Sequence, residues 1–269
     1  MKIIHNISLR ITPKIKKKLE GFGIFVSGGF GKIVGEDLVN FKVSESDECW
    51  KELESRLANW QAIDISFTKF SIKELKEANW LFMVPDWHHG YPQPEDDFGY
   101  LMVTYDLTNN CEKCGIGPAQ NAPFRIKKEP GWGKRGILQL NWVFDEFFAK
   151  PDVWQNVFKP FEVSYRSVLH YKSLKELKTV VQLLIDEEIE IELDGYDYDI
   201  CEMCKCKKYL PITRGKFPPL KSLPNKHISR TKNYFGSGAS AFREIIISQY
   251  LFKKISEQNI KGVSFEVVA

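Results

Sequence analysis

Four of the chain's six cysteines stand in two C-x-x-C pairs: Cys111 and Cys114 in NNCEKCGIGPAQ, and Cys201 and Cys204 in YDICEMCKCKKYL. Two residues between thiolates let the backbone form a tight knuckle that aims both sulfurs at one ion, and two knuckles complete the tetrahedron that structural zinc prefers. Gly115, directly behind Cys114, is the small residue that lets such a turn fold back beneath a metal. The second pair has Lys205 in that place, and it offers a further thiol, Cys206, as a competing ligand. Zinc ribbons usually place their knuckles roughly 15–20 residues apart, whereas here about ninety residues intervene. A single ion held by Cys111, Cys114, Cys201 and Cys204 therefore pins two distant segments and closes a long loop.

Two other chemistries share this motif. A redox dithiol sits at the start of a helix, whose N-terminus lowers the thiol pKa, and neither pair leads into a helical pattern. The thiols can also stand buried without metal or pair as disulfides. Cys49, beside Trp50 on the apolar side of a helical pattern, reads as a core residue.

A second concentration of reactive side chains lies in PDWHHGYPQPEDDFG, which carries Asp86, His88, His89, Glu95, Asp96 and Asp97. Histidine with carboxylates can hold a catalytic metal or perform acid/base work, which makes a metal-dependent hydrolase one reading. Adjacent histidines in an extended segment point in opposite directions, and no HExxH spacing places two ligands on one face. These six residues are therefore assigned to an irregular surface loop that contacts a partner. The glycines of FVSGGFGKIVGE lack the GxxxxGK[ST] order of a phosphate loop and read as a hairpin. YFGSGASAFRE lacks the setting of a GxSxG nucleophile elbow. No nucleophile and base stand at catalytic spacing, so no catalytic residue is assigned and a non-enzymatic role is expected.

Charge narrows the partners. With 38 Lys+Arg against 35 Asp+Glu, the chain has no broad basic field, which argues against a zinc-ribbon nucleic-acid binder. The acidic run DEEIEIELDGYDYD offers a negative face to a basic partner, or a strand edge protected by charge. No apolar run approaches the roughly 20 residues of a membrane helix. MKIIHNISLRITPKIKKKLE is too interrupted for a signal peptide. A cytoplasmic location is expected, where thiols stay reduced.

The elements that must position these groups indicate an α+β protein of mixed sheets and short helices, with the two knuckles forming one zinc site. KIIHNISLRI alternates as a strand, and TPKIKKKLEGFG carries Thr12 as N-cap and Pro13 at the first helical position. GEDLVNFKVS reads as a strand, SESDECWKELESRLANW as a capped helix with Trp50, Leu53 and Leu57 on one face, and AIDISF as a strand. SIKELKEA reads as a short helix, while NWLFMVP and GYLMVTYDL read as strands. A helix is expected at NWVFDEFFAK, with strands at FEVSYRSVLHY, VVQLLI and IEIEL. The chain closes on a strand, a helix capped by Ser248 and a last strand, GVSFEVV. A boundary between 1–108 and 109–269 separates an N-terminal α/β domain from a C-terminal zinc-knuckle domain.

The two knuckles together with the tail SLPNKHISRTKNYFGSGASAFREIIISQYLFKKISEQNIKGVSFEVV resemble the double-CXXCG family of bacterial proteins. The residues carrying the likeness in the tail are Leu223, Pro224, Phe235, Ile246, Ser248, Gly262, Val263 and Phe265. The resemblance covers the second cysteine pair and the tail. The family's second CxxCG stands here as Cys-Glu-Met-Cys-Lys, and its first knuckle, usually near the N-terminus, stands at residue 111. The likeness implies zinc ligation by Cys111, Cys114, Cys201 and Cys204, no catalytic residues, and the role of an immunity protein that neutralises a cognate toxin by direct binding.

Overall fold

In the computed structural model, which describes residues 1–26, 31–33 and 36–269, the chain forms two compact units. One is Met1–Glu74 with Ile212–Lys216, and the other is Leu75–Pro211 with Phe217–Ala269. The boundary expected after residue 108 falls inside the second unit. Residues 27–30 and 34–35 of the glycine-rich segment expected to form a hairpin lie outside the described residues.

The first unit is an antiparallel sheet in the order Gly31–Ile33, Glu36–Ser44, Lys2–Arg10, Ile63–Lys69. Alternation along its central strand buries His5, Ile7 and Leu9 on one face, as period-2 geometry requires. Two helices bury their apolar stripes in the same core: Leu19 from Pro13–Gly21, and Trp50, Leu53 and Leu57 from Trp50–Leu57. Thr12 caps the first helix, its hydroxyl accepting from Ile15 N–H at 3.2 Å. The second helix has no side-chain cap: it begins only after Cys49, and Asp47 Oδ2 accepts from Ser44 N–H instead. The reciprocal Ser/Glu box occurs one helix later, between Ser71 and Glu74.

The second unit holds two five-stranded sheets. In the first, Trp80–Pro85 lies between Ile245–Ser248 and Val263–Val267, antiparallel to both, and Ile228–Thr231 and Glu188–Ile189 complete the order. In the second the order is Arg125–Ile126, Ser164–His170, Glu176–Leu184, Phe148–Ala149, Ile137–Leu138. The sheets share one core with the helix Gln249–Glu257, whose Leu251, Phe252 and Ile255 pack among Leu81, Met83, Phe147, Leu183 and Ile247. Ser248 caps that helix as its sequence indicates, accepting from Leu251 N–H at 3.3 Å. The mixed sheets with short helices make this an α+β fold.

Two elements differ from the sequence reading. GYLMVTYDL is a helix at Tyr100–Thr104 followed by a short strand at Tyr105–Asp106. Tyr100 and Thr104, four apart, are buried while Met102 between them is exposed, which is helical spacing. NWVFDEFFAK is not a helix: Phe147, Phe148 and Ala149 are consecutive buried residues, the last two forming an inner strand of the second sheet. A short apolar run buried on both faces has no periodicity by which strand and helix can be told apart.

Candidate metal centre

Each cysteine pair sits in the same turn. In the first, Gly115 N–H donates to Cys111 O at 2.7 Å and Cys111 N–H to Ile116 O at 2.8 Å; in the second, Lys205 N–H donates to Cys201 O at 2.9 Å and Cys201 N–H to Cys206 O at 3.0 Å. The position behind each second cysteine is left-handed, φ 78° at Gly115 and 59° at Lys205. The knuckles are thus two copies of one backbone shape, and Cys206 occupies the place that Ile116 holds in the first.

The copies face each other. Cys111 Sγ lies 3.7 Å from Cys201 Sγ, and Cys114 Sγ lies 3.5 Å from Cys204 Sγ. All four sulfurs fall within 4.8 Å of one another. A zinc–sulfur bond of about 2.3 Å gives a tetrahedron with edges of about 3.8 Å, so the spacing suits one tetrahedral ion. The six cysteines are free, and each pair lies in a turn, not at a helix start. Cys206 is exposed, its thiol directed to Cys204 O, and stands outside the cluster.

The surroundings fit a negatively charged centre. Lys208 is buried, at 4% exposure, and its ammonium donates to the carbonyls of Cys114 (2.9 Å), Gly238 (2.5 Å) and Ser240 (3.0 Å). It makes no ion pair among the described residues. A buried cation without a counterion is costly, whereas four thiolates around a divalent ion carry two net negative charges beside it. Lys113 pairs with Glu202 across the two knuckles at the surface. Tyr234 and Ala241 pack against the sulfurs.

The protonated thiols are not equivalent. Backbone N–H groups of Cys204 and Met203 favour the Cys201 thiolate and, against the effect of burial, bring its pKa down to about 6. Burial pushes the Cys114 thiol up to about 12. Metal entry at Cys114 displaces a firmly held proton, so binding is coupled to proton release.

The chain matches no family model, no curated protein and no solved structure.

The other predicted residues do not assemble a second centre. Among the described residues, the four cysteines are the one group of three or more potential ligands brought together. His88 and His89 are bound through their backbone to Gln139, with His88 exposed and His89 half-buried against Trp87. Burial lowers the His89 pKa. Glu95 pairs with Lys127 at 2.5 Å and accepts from Gln93, which holds its carboxyl below the usual range. Asp86, Asp96 and Asp97 are exposed. In the acidic run, Asp186, Glu187, Glu188 and Glu190 are engaged by Lys226, Ser229, Arg243 and Lys232. Sequence reasoning missed Lys208 entirely, since nothing in KCKKYL marks which lysine turns inward.

Among the described residues no helix is long and apolar enough to cross a membrane.

Proposed function

We propose that this chain is a cytoplasmic binding protein of the immunity type, stabilised by one structural zinc ion, that neutralises a cognate bacterial toxin by direct contact. The observation that carries the reading is the four-sulfur cluster, drawn from knuckles 90 positions apart. Four thiolates fill every position of a tetrahedral ion and leave none open for substrate, which suits a structural rather than a catalytic metal. Sulfur-only tetrahedral sets favour zinc or iron–sulfur chemistry, and the likeness to double-CXXCG proteins favours zinc. When bound, the ion supplies a rigid crosslink between two segments of the second unit.

The surface assigned to the toxin is the loop containing Asp86, His88, His89, Glu95, Asp96 and Asp97. Residues 85–99 hold four carboxylates and no lysine or arginine, and a negative surface is complementary to a basic target such as a nuclease. The test is growth rescue. The product of the gene beside this one arrests a heterologous host, and co-expression of this chain restores growth and co-purifies with it. Arrest that persists although the chain is folded and metal-loaded refutes the immunity reading.

A further inference from the structure

The same loop carries a feature that its charges do not explain. Tyr91 and Phe98, 41% and 52% exposed, both lean on the Trp142 indole, with ring centroids 4.4 Å and 4.6 Å from it. The segment bearing Trp142 is fastened to the loop. Asn141 donates to Gly90 O through both its backbone N–H, at 2.9 Å, and its side-chain amide, at 2.8 Å. The buried Tyr100 hydroxyl donates to Trp142 O at 3.4 Å.

Three residues of this patch have left-handed backbones: Asp97 at φ 50°, Phe98 at φ 55° and Trp142 at φ 68°. Bulky L residues adopt that conformation only at a cost, and such strain collects where a surface must present particular groups. The exposed Phe98 ring follows directly in the chain on Asp96 and Asp97, which are exposed and make no ion pair among the described residues.

We propose that Tyr91, Phe98 and Trp142, with Asp96 and Asp97 beside them, receive an arginine or lysine side chain displayed by a protein partner. Aromatic faces attract cations, carboxylates add the complementary charge, and clustered tyrosine and tryptophan are the side chains that anchor protein interfaces. The proposal rests on the reading of the chain as a binding protein and names the chemistry of the residue that it holds.

The experiment follows the Trp142 indole N–H signal of the isotope-labelled, metal-loaded protein, assigned with Trp142→Phe, during titration with acetyl-Gly-Arg-Gly-amide. A citrulline peptide of the same shape serves as the neutral control. The arginine peptide shifts the signal saturably and the citrulline peptide does not, and Phe98→Ala or Tyr91→Ala weakens binding about two- to fivefold per ring removed. Asp96→Asn with Asp97→Asn weakens it further. Both rings are exposed, so these variants retain fold and metal. No saturable shift, or equal shifts with citrulline, overturns the proposal. So does a shift on self-dilution, which assigns the patch to a second copy, or a stronger response to an oligonucleotide. Because no toxin enters this titration, its failure leaves the growth-rescue test standing, and the converse also holds.

Discussion

The equivalence of the two knuckles can be broken one residue at a time. Gly115 and Lys205 hold the same left-handed position of the same turn, yet a Cβ at residue 115 would lie 2.2 Å from Ala239 O. Alanine there incurs the left-handed penalty of about 1–2 kcal/mol. It also forces a backbone carbonyl aside, comparable to overpacking at about 1–3 kcal/mol. Gly115→Ala is therefore expected to destabilise the second unit by about 2–5 kcal/mol, lowering Tm by about 5–15 °C for a unit of this size. Lys205→Gly works in the opposite sense: relief of about 1–2 kcal/mol is offset by roughly 0.5–1 kcal/mol of extra unfolded-chain entropy. The result is neutral to about 1.5 kcal/mol more stable. Thermal unfolding of the metal-loaded variants, followed by tryptophan fluorescence and circular dichroism, reads both. Equal destabilisation by the two substitutions, or tolerance of alanine at 115, refutes the claim that the second knuckle retains a glycine-type turn without its glycine.

Lys208→Met removes the buried ammonium beside the thiolates. The ammonium donates to Cys114 O at 2.9 Å, and at an effective dielectric of about 20 its attraction to a dianionic centre at that knuckle is on the order of a few kcal/mol. After relaxation of the half-exposed second knuckle, zinc affinity measured by chelator competition is expected to fall about 100-fold; unchanged affinity removes the charge argument. Stability should also fall as pH rises. Burial first, and then Asp145 and Glu266, raise the Glu244 carboxyl to about 8. Its folded-state pKa thus exceeds the unfolded value, and its contribution is full below about 4.5 and lost as pH rises through about 8. Glu244→Gln flattens that decline in a denaturant series across this window, and a variant with the wild-type slope contradicts the assignment.

The parts of the fold that were legible in the sequence are those where one local signal sufficed. Thr12 before Pro13, Ser248 before the stripe Leu251, Phe252 and Ile255, and the alternation of His5, Ile7 and Leu9 each mark an element through its own spacing. The four clustered sulfurs were legible because a C-x-x-C pair has few uses. What stayed hidden depends on long-range burial. Tyr100–Thr104 is helical because Tyr100 packs against Trp142 and Tyr105, and Phe148–Ala149 is a strand because neighbours pair on both sides. Lys208 turns inward because the loop 236–241 presents carbonyls to it. Trp142 joins Tyr91 and Phe98 from some fifty residues away. Tyr105 apart, these partners stand some ten to fifty residues away in sequence, so a short window of the chain does not contain the cause.

The central claim is that one ion joins both knuckles. Elemental analysis of the purified chain beside Cys111→Ser and Cys201→Ser tests it most directly. The account predicts about one zinc per chain, lost in both variants together with stability of the second unit. Zinc that survives removal of either knuckle, or two ions per chain, would contradict it.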